Sequence, residues 1–360
     1  MRPIYLDYNA TTPIDPGVAD AMLPFIHQHF GNPSSSHLFG VTAKKAVEAA
    51  RRQVAEMLGC AVDEVVFTSG GSEANNLAIK GVAHAYRAKG RHIITSAVEH
   101  PAVTEVCRHL ESDGYQVTYL PVDDEGLVDP GEVEAAITPQ TILVTVMHAN
   151  NEVGTIQPIA AIAEVTRRHG LAFHTDAAQS VGKIPVRVAD LGVDLLSIAG
   201  HKLYAPKGVG VLFRRRGLRL DKLIDGADHE MNQRAGTENV IEIVGLGAAC
   251  ELVGGNLEAY AERMRALRDA LEKGLRQRFP ELRVNGHPQR RLPNTASVAF
   301  RGLEASTILS ELEGVAASAG AACHSDRVDV SSVLQAMRVP LEYAMGTIRF
   351  SVGRFTTARE

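Results

Sequence analysis

The sequence predicts an α/β protein built on an open, largely parallel sheet with helices packed against it. Two observations carry this. Short apolar runs alternate with helical patterns: Val65 to Thr68, His92 to Ser96, Gln116 to Leu120, Thr141 to Met147 and Leu171 to Asp176 are separated by stretches such as Val103 to Leu110 and Ile159 to His169. Most of these runs also release polar residues at their C-terminal ends, the edge along which open α/β sheets place their sites. A chain of 360 residues has room for a large core and, at usual domain sizes, for two domains.

Taken in order, Tyr5-Leu-Asp-Tyr-Asn-Ala-Thr-Thr-Pro13 is a short extended piece that breaks at Pro13, and the spacing of Val18, Met22 and Phe25 predicts a helix after it. The loop Gly31-Asn-Pro-Ser-Ser-Ser36 leads to a second helix over Val41 to Leu58, with apolar and alanine positions on one face. The strand Val65 to Thr68 stops at Ser69-Gly70-Gly71-Ser72, and a helix follows from Glu73 to Lys80. A glycine-rich strand-to-helix turn offers backbone N–H groups and hydroxyls at a helix N-terminus, which suits a phosphate, although a simple capped helix has the same appearance. The turn has neither the Gly-Lys-Ser/Thr of a nucleotide-triphosphate loop nor the spaced glycines of a dinucleotide turn. Next, His92 to Ser96 delivers Glu99-His100-Pro101 to a loop. Thr141 to Met147 ends at His148-Ala-Asn-Asn-Glu152, and Leu171 to Asp176 at Asp176-Ala-Ala-Gln179. Val240 to Phe279 is helical in pattern, and its stretch Glu258 to Arg278 reads as a long connecting helix. Alternating Ala296-Ser-Val-Ala-Phe300 then belongs to a smaller unit of mixed strands and helices, so a boundary is expected near residue 250. Ser318 to Ser325 is almost without bulky side chains and is expected to be a mobile loop carrying Cys323.

Composition narrows the possible partners. Hydrophobic residues at 45% and charged residues at 22% describe an ordinary globular protein, and a net charge of −5 offers no general attraction to nucleic acid or an anionic membrane. The four cysteines, Cys60, Cys107, Cys250 and Cys323, are far apart in sequence and none forms a Cys-x-x-Cys pair. Neither structural zinc, nor any other metal site, nor a disulfide framework is expected, and a reducing compartment is. The first residues lack the apolar core of a signal peptide, and no run of about 18 apolar residues occurs, so a cytoplasmic location is expected.

The chemistry centres on Val193 to Gly210. An apolar run there ends in small residues and presents His201 and Lys202 before Pro206 and Gly208 turn the chain into the apolar Val209 to Phe213. Burying an ammonium is costly, so such a lysine finds an anion or loses its proton, and a neutral lysine is the nucleophile a Schiff base needs. Pyridoxal phosphate requires a lysine for its aldehyde, a carboxylate for its ring nitrogen, a flat group against the ring and a phosphate cradle. Lys202, Asp176, His100 and Ser69 to Ser72 are candidates for these four parts at one sheet edge. Taken singly, an aspartate ending a strand is commonly a cap and a histidine after a strand commonly a loop residue.

The motifs together resemble the cysteine desulfurases, and their relatives the selenocysteine lyases, of the class V aminotransferase family. Tyr5 to Pro13, Phe67 to Glu73, Glu99-His100, His148 to Glu152, His174 to Gln179, Ser197 to Lys202, Arg234-Ala-Gly-Thr-Glu-Asn239 and Ile348 to Arg354 carry the resemblance, collinear over nearly the whole chain. It implies the type I fold of pyridoxal-phosphate-dependent transferases. Residues 15–250 would form a large cofactor domain with a mostly parallel sheet, and residues 1–14 and 251–360 a smaller α+β domain carrying the cysteine loop. It implies Lys202 as the Schiff-base lysine, Asp176 and Gln179 against the cofactor ring, and His100 stacked on the ring and shuttling protons. Gly71, Ser72, Ser197 and His201 would hold the phosphate, with Thr237 from a second subunit of a homodimer. Asn151, beside the cofactor, and Arg349 would bind the substrate carboxylate. Cys323 would be the nucleophile that takes the chalcogen of L-cysteine or L-selenocysteine, releases alanine and passes its cargo to an acceptor protein. Two departures stand out. Gly320-Ala-Ala-Cys-His-Ser-Asp326 has Ala321 and His324 where typical desulfurases have serine and threonine, a variation closer to the selenocysteine lyases. The glycine-rich run expected before Arg234 is here Gly226-Ala-Asp-His-Glu230. Another class V aminotransferase or lyase would keep Lys202 and Asp176 but not need Cys323, whereas a non-catalytic scaffold for sulfur carriers would need neither.

Overall fold

A computed structural model describes residues 3–324 and 327–360. The chain enters through β1 (Ile4–Tyr5), and seven later strands form the larger sheet: β2 (Val65–Thr68), β3 (His92–Ser96), β4 (Gln116–Leu120), β5 (Thr141–Thr145), β6 (Ala172–Asp176), β7 (Leu195–Ala199) and β8 (Gly210–Arg214). Their order is β2-β8-β7-β6-β5-β3-β4, and β8 alone runs against its neighbours. Successive strand residues point to opposite faces, so Val66, Ile93, Leu143, Leu195 and Leu212 enter one core while Phe67, Ile94, Val144, Leu196 and Val211 enter the other. Helices α1 (Pro16–His27) and α2 (Leu38–Leu58) supply Val18, Val47, Val54 and Leu58 to the second of these cores. Helices α3 (Gly71–Tyr86) and α4 (Pro101–Ser112) supply Leu77, Ile79, Val103 and Leu110 to the first. Both faces are therefore covered, which is why the inner strands read as near-continuous apolar runs.

Local chemistry sets several element ends. Helix α2 starts at Leu38, three residues before the expected start, because His37 caps it: its Nδ1 accepts from the Gly40 N–H at 3.4 Å. The helical pattern after Val240 divides into Val240–Gly254 and Leu257–Arg278, bent by 78° where Gly254 and Gly255 break it.

A second sheet, β12-β15-β10-β9, is antiparallel and built from β9 (Arg283–Asn285), β10 (Thr295–Ala299), β12 (Ser318–Ala319) and β15 (Thr347–Ser351). Between these in sequence come β11 (Val315–Ala316), which pairs in parallel with β1, and the hairpin β13 (Ala321–His324) with β14 (Arg327–Val330). Its own core contains Met264, Val298, Ile348 and Phe350 together with Leu6 from the N-terminus. The stretch expected as a loop around Cys323 is thus part of a hairpin, with Cys323 opposite Val328; the β-branched Val330 at its end favours the extended backbone. The Cys323 side chain lies outside what is described.

Because β2, β3, β5, β6 and β7 run the same way, the residues after their C-terminal ends gather along one edge of the larger sheet. The N-terminal segment crosses this edge, where the Thr12 N–H donates to the His201 carbonyl at 3.0 Å. Asn9, just before it, is 1% exposed.

Candidate active site

Strand β7 ends at Ala199, and one 3₁₀ turn, Gly200–Lys202, carries Lys202 over the sheet edge. Its Nζ donates to the Ala10 carbonyl at 2.9 Å and to the Asn9 carbonyl. The Lys202 pKa is drawn down to about 8, by burial first and then by Arg349, with Asp176 and Asp7 opposing the change. Neutral amine is therefore accessible near neutral pH, as a carbonyl-directed nucleophile requires. The neighbouring His201 lies 3.1 Å through Nδ1 from Thr11 Oγ1, and burial, then Lys202 and Lys207, holds its pKa at about 4.

Asp176 closes β6 and is buried. Its Oδ2 accepts from Asn75 Nδ2 at 2.7 Å and its Oδ1 from the Ala178 N–H at 2.9 Å. Asn75 lies one turn into α3 from Gly71, so both occupy one helix face. His100 is the N-cap of α4: Nδ1 accepts from the Ala102 N–H at 3.1 Å, and Pro101 occupies the first turn. That bond leaves the proton of the neutral ring on Nε2. Burial pulls the His100 pKa below its ordinary value, with Asp176 opposing and Lys202 adding. Glu99, directly before it, is fully buried; its Oε1 accepts from Ser96 Oγ and the Met147 N–H, and burial pushes its pKa up to about 8.

Lys202, Asp176, His100, Gln179, Asn151 and His201 line one cavity of about 320 Å³, with Gly71 and Ser72 at the start of α3 forming its far wall. Helix α3 has 16 residues and no side-chain cap; its N-cap Gly70 has a φ of 151°, a region glycine adopts readily. Its first N–H groups are thus without a capping side chain, beside the cavity. A Cβ at Gly71 would stand 3.1 Å from the Ala199 Cβ, so the glycine keeps the approach open. Amine, carboxylate and uncapped helix start are the donor set of a pyridoxal phosphate, and the residues present fit it. A larger cavity of about 630 Å³, bounded by Lys44, Glu48, Asp63, Asp228 and Glu238, mixes charges of both signs around no comparable nucleophile.

Among the expected residues whose side chains are described, three do not line this cavity. Ser197 is fully buried with its Oγ 3.0 Å from His174 Nε2, and the wall on that strand is Ala199, two residues nearer the edge. Thr237 lines a separate recess with Ser69 and Arg234. Arg349 stands behind Asn151: Nη1 donates to the Asn151 carbonyl at 3.0 Å and Nη2 to Asp7 Oδ1 at 2.8 Å, while Nε is buried without a partner among the described residues. Asn75 and Ala199 were missed from sequence, although the i, i+4 spacing of Gly71 and Asn75 was available to find the first.

The fold and the lysine–aspartate cavity define a pyridoxal-phosphate enzyme of fold type I. The chain matches the family model described as "Aminotransferase class-V" over residues 4–360, and it belongs to that family and to its cysteine desulfurase group. It is 49% identical over 361 residues to "Cysteine desulfurase IscS" of Dictyoglomus turgidum, covering 100% of this chain and 92% of the relative. It is 46% identical over 363 residues to "Cysteine desulfurase" of Rattus norvegicus, covering 100% of this chain and 80% of the relative. Among solved structures, a "NIFS-LIKE PROTEIN" superposes with a TM-score of 0.93 at 37% identity, over 99% of this chain and 95% of that one. "SspA in complex with cysteine" superposes with a TM-score of 0.87 at 37% identity, over 98% and 100% of the two chains.

Proposed function

We infer that this chain is a pyridoxal 5′-phosphate-dependent cysteine desulfurase that takes sulfur from L-cysteine and releases L-alanine. The observation that carries this is the convergence of Lys202 and Asp176 on one cavity beside the uncapped start of α3. In this reading Lys202 holds the aldehyde carbon, Asp176 the ring nitrogen, His100 and Gln179 the ring, and Gly71, Ser72 and His201 the phosphate. Bound pyridoxal phosphate supplies the electron sink that labilises bonds at the amino acid's α-carbon. Lys202, as free base, moves the α-proton, and His100 moves a second proton through Nε2. Asn151 and Arg349 take the substrate carboxylate; Arg349, behind Asn151 in the structure, exchanges its bonds to the Asn151 carbonyl and Asp7 to reach it.

Cys323 is the proposed nucleophile. Its thiolate bonds to the substrate sulfur while the carbon–sulfur bond breaks; the electron pair stays on carbon, which takes up a proton, so alanine leaves and a persulfide remains for an acceptor protein. The other thiols do not compete: burial pushes Cys60 and Cys107 up to about 12 and raises Cys250 as well. We further propose the division into residues 15–250 and 1–14 with 251–360, a cytoplasmic location, and a homodimer in which Thr237 serves the partner's site. Exposed Phe30, Leu38 and Phe39, the two phenylalanines stacked at 5.4 Å, give an apolar surface for the dimer contact.

The test is direct. Purified protein with pyridoxal phosphate is expected to absorb in the visible and to form alanine from L-cysteine, and Cys323→Ala to keep the absorption and lose alanine formation. Alanine from L-selenocysteine but not L-cysteine would turn the assignment to a selenocysteine lyase. Full L-cysteine activity in Cys323→Ala would overturn the persulfide step.

A further inference from the structure

Lys183 is a buried amine to which the reaction above gives no part. It follows Gly182, whose φ of 79° and contact with Leu203, where a Cβ would come within 2.1 Å of Cδ1, fix the chain direction. Its side chain is 5% exposed and makes two hydrogen bonds, both as donor: to Gln179 Oε1 at 2.8 Å and to Asn9 Oδ1 at 3.1 Å. Gln179 in turn donates from Nε2 to the Asn9 carbonyl at 2.9 Å, and that same carbonyl oxygen accepts from Lys202 Nζ. Gln179 Nε2 and Lys202 Nζ therefore stand side by side at one acceptor. On a pyridoxal ring the hydroxyl oxygen is attached next to the carbon bearing the aldehyde, so for a ring held through Lys202 the Gln179 amide, beside Lys202 Nζ, would be a donor within reach of that oxygen.

We propose that Lys183 is a positioning residue for the reaction: by donating to Gln179 Oε1 and Asn9 Oδ1 it holds the Gln179 amide with its N–H edge toward Lys202 and the ring oxygen. This rests on the cavity taking pyridoxal phosphate. An amide in a cavity wall can present either its oxygen or its nitrogen, and only the nitrogen donates. Lys183 claims the oxygen. Asn9 Oδ1 accepts from Lys183 and also from Asn294 Nδ2 at 2.9 Å, and Asn9 Nδ2 donates to the Asn151 carbonyl at 3.1 Å and to Thr295 Oγ1 at 2.8 Å. Burial, joined by the charges of Lys202 and Arg349, lowers the Lys183 pKa well below the ordinary lysine value. A neutral amine has two N–H donors, and Lys183 has two acceptors; a third donor would be buried without a partner.

The test reads the chromophore of the reconstituted holoenzyme as a function of pH. A donor at the ring oxygen favours its unprotonated form, so losing the donor raises the chromophore pKa, by about one unit for one hydrogen bond. Lys183→Met and Gln179→Ala are each expected to show that rise, and the double variant no more than either, because both act through one amide. Gln179→Glu guards against a folding failure of Lys183→Met: its carboxylate still satisfies Lys183 but has no N–H and adds a negative charge, so a rise at least as large is expected. A Lys183→Met protein that melts at lower temperature with its chromophore pKa unchanged has lost only packing and overturns the proposal, as does a double variant whose shift is the sum of the two. A wild-type protein that forms no chromophore overturns the cofactor reading itself.

Discussion

On the proposed role of Lys202, its lowered pKa sets how fast the apoprotein captures its cofactor. Only neutral amine attacks an aldehyde. With a pKa of about 8, roughly 10% of Lys202 is neutral at pH 7, against roughly 0.03% for a lysine at its ordinary value of 10.5, a gain of about 300-fold. The rate of chromophore formation on mixing apoprotein with excess pyridoxal phosphate is therefore expected to rise about tenfold per pH unit below 8 and to level off above it. Arg349→Met tests the cause. Arg349 lowers the Lys202 pKa, and its removal also frees Asp7, whose charge raises it; both changes move the plateau from about 8 toward 10.5 and slow capture at pH 7. Stopped-flow absorbance between about pH 6 and pH 10 measures both curves. A wild-type rate still climbing tenfold per unit from pH 8 to 10 would refute the reasoning, as would coincident profiles for the two proteins.

Two further outcomes are expected of stability. Glu230 accepts from Arg51 Nη1 at 2.7 Å and Nη2 at 2.8 Å and from the Phe67 N–H at 2.8 Å, the ion pair having side chains only 6% and 2% exposed. Glu230→Gln leaves the buried Arg51 charge with only the half-exposed Glu48 at 3.3 Å, at a cost of up to about 3–5 kcal/mol, or roughly 4–7 °C in melting temperature for 360 residues, and Arg51→Met in the same chain should return part of it; melts of the two single variants and the double decide this. Glu99 has its pKa raised to about 8, so the folded protein binds more protons there than the unfolded chain, and stability falls as pH rises from about 4.5 to 8. Glu99→Gln, which cannot ionise, is expected to flatten that decline in urea titrations at several pH values; an unchanged slope would mean Glu99 is ionised throughout.

Much of the site was legible because its signals are local. Asp176 and Lys202 sit where apolar runs end, and Gly70-Gly71 follows a strand and opens a helix, so alternation and glycine alone place them on one edge. Ser197, which the resemblance placed at the phosphate, shows what such local signals do not decide. It and Ala199 point to the same face of β7, but only the residue nearer the strand end reaches the cavity, and the length of β7 relative to β6 is not written in either strand.

The sequence by itself determined the α/β class, the apolar inner strands and the lysine, aspartate and histidine at the edge. These follow from side-chain periodicity and backbone conformational preference, which act within a few residues. Only the tertiary structure decided which polar groups became partners. Asn9 meets Lys183, Asn151, Thr295 and Ser351, and Arg51 meets Glu230, across separations of 142 to 342 residues. A polar group is driven to a partner by the cost of losing water, and that cost arises only once the folded chain has closed over it.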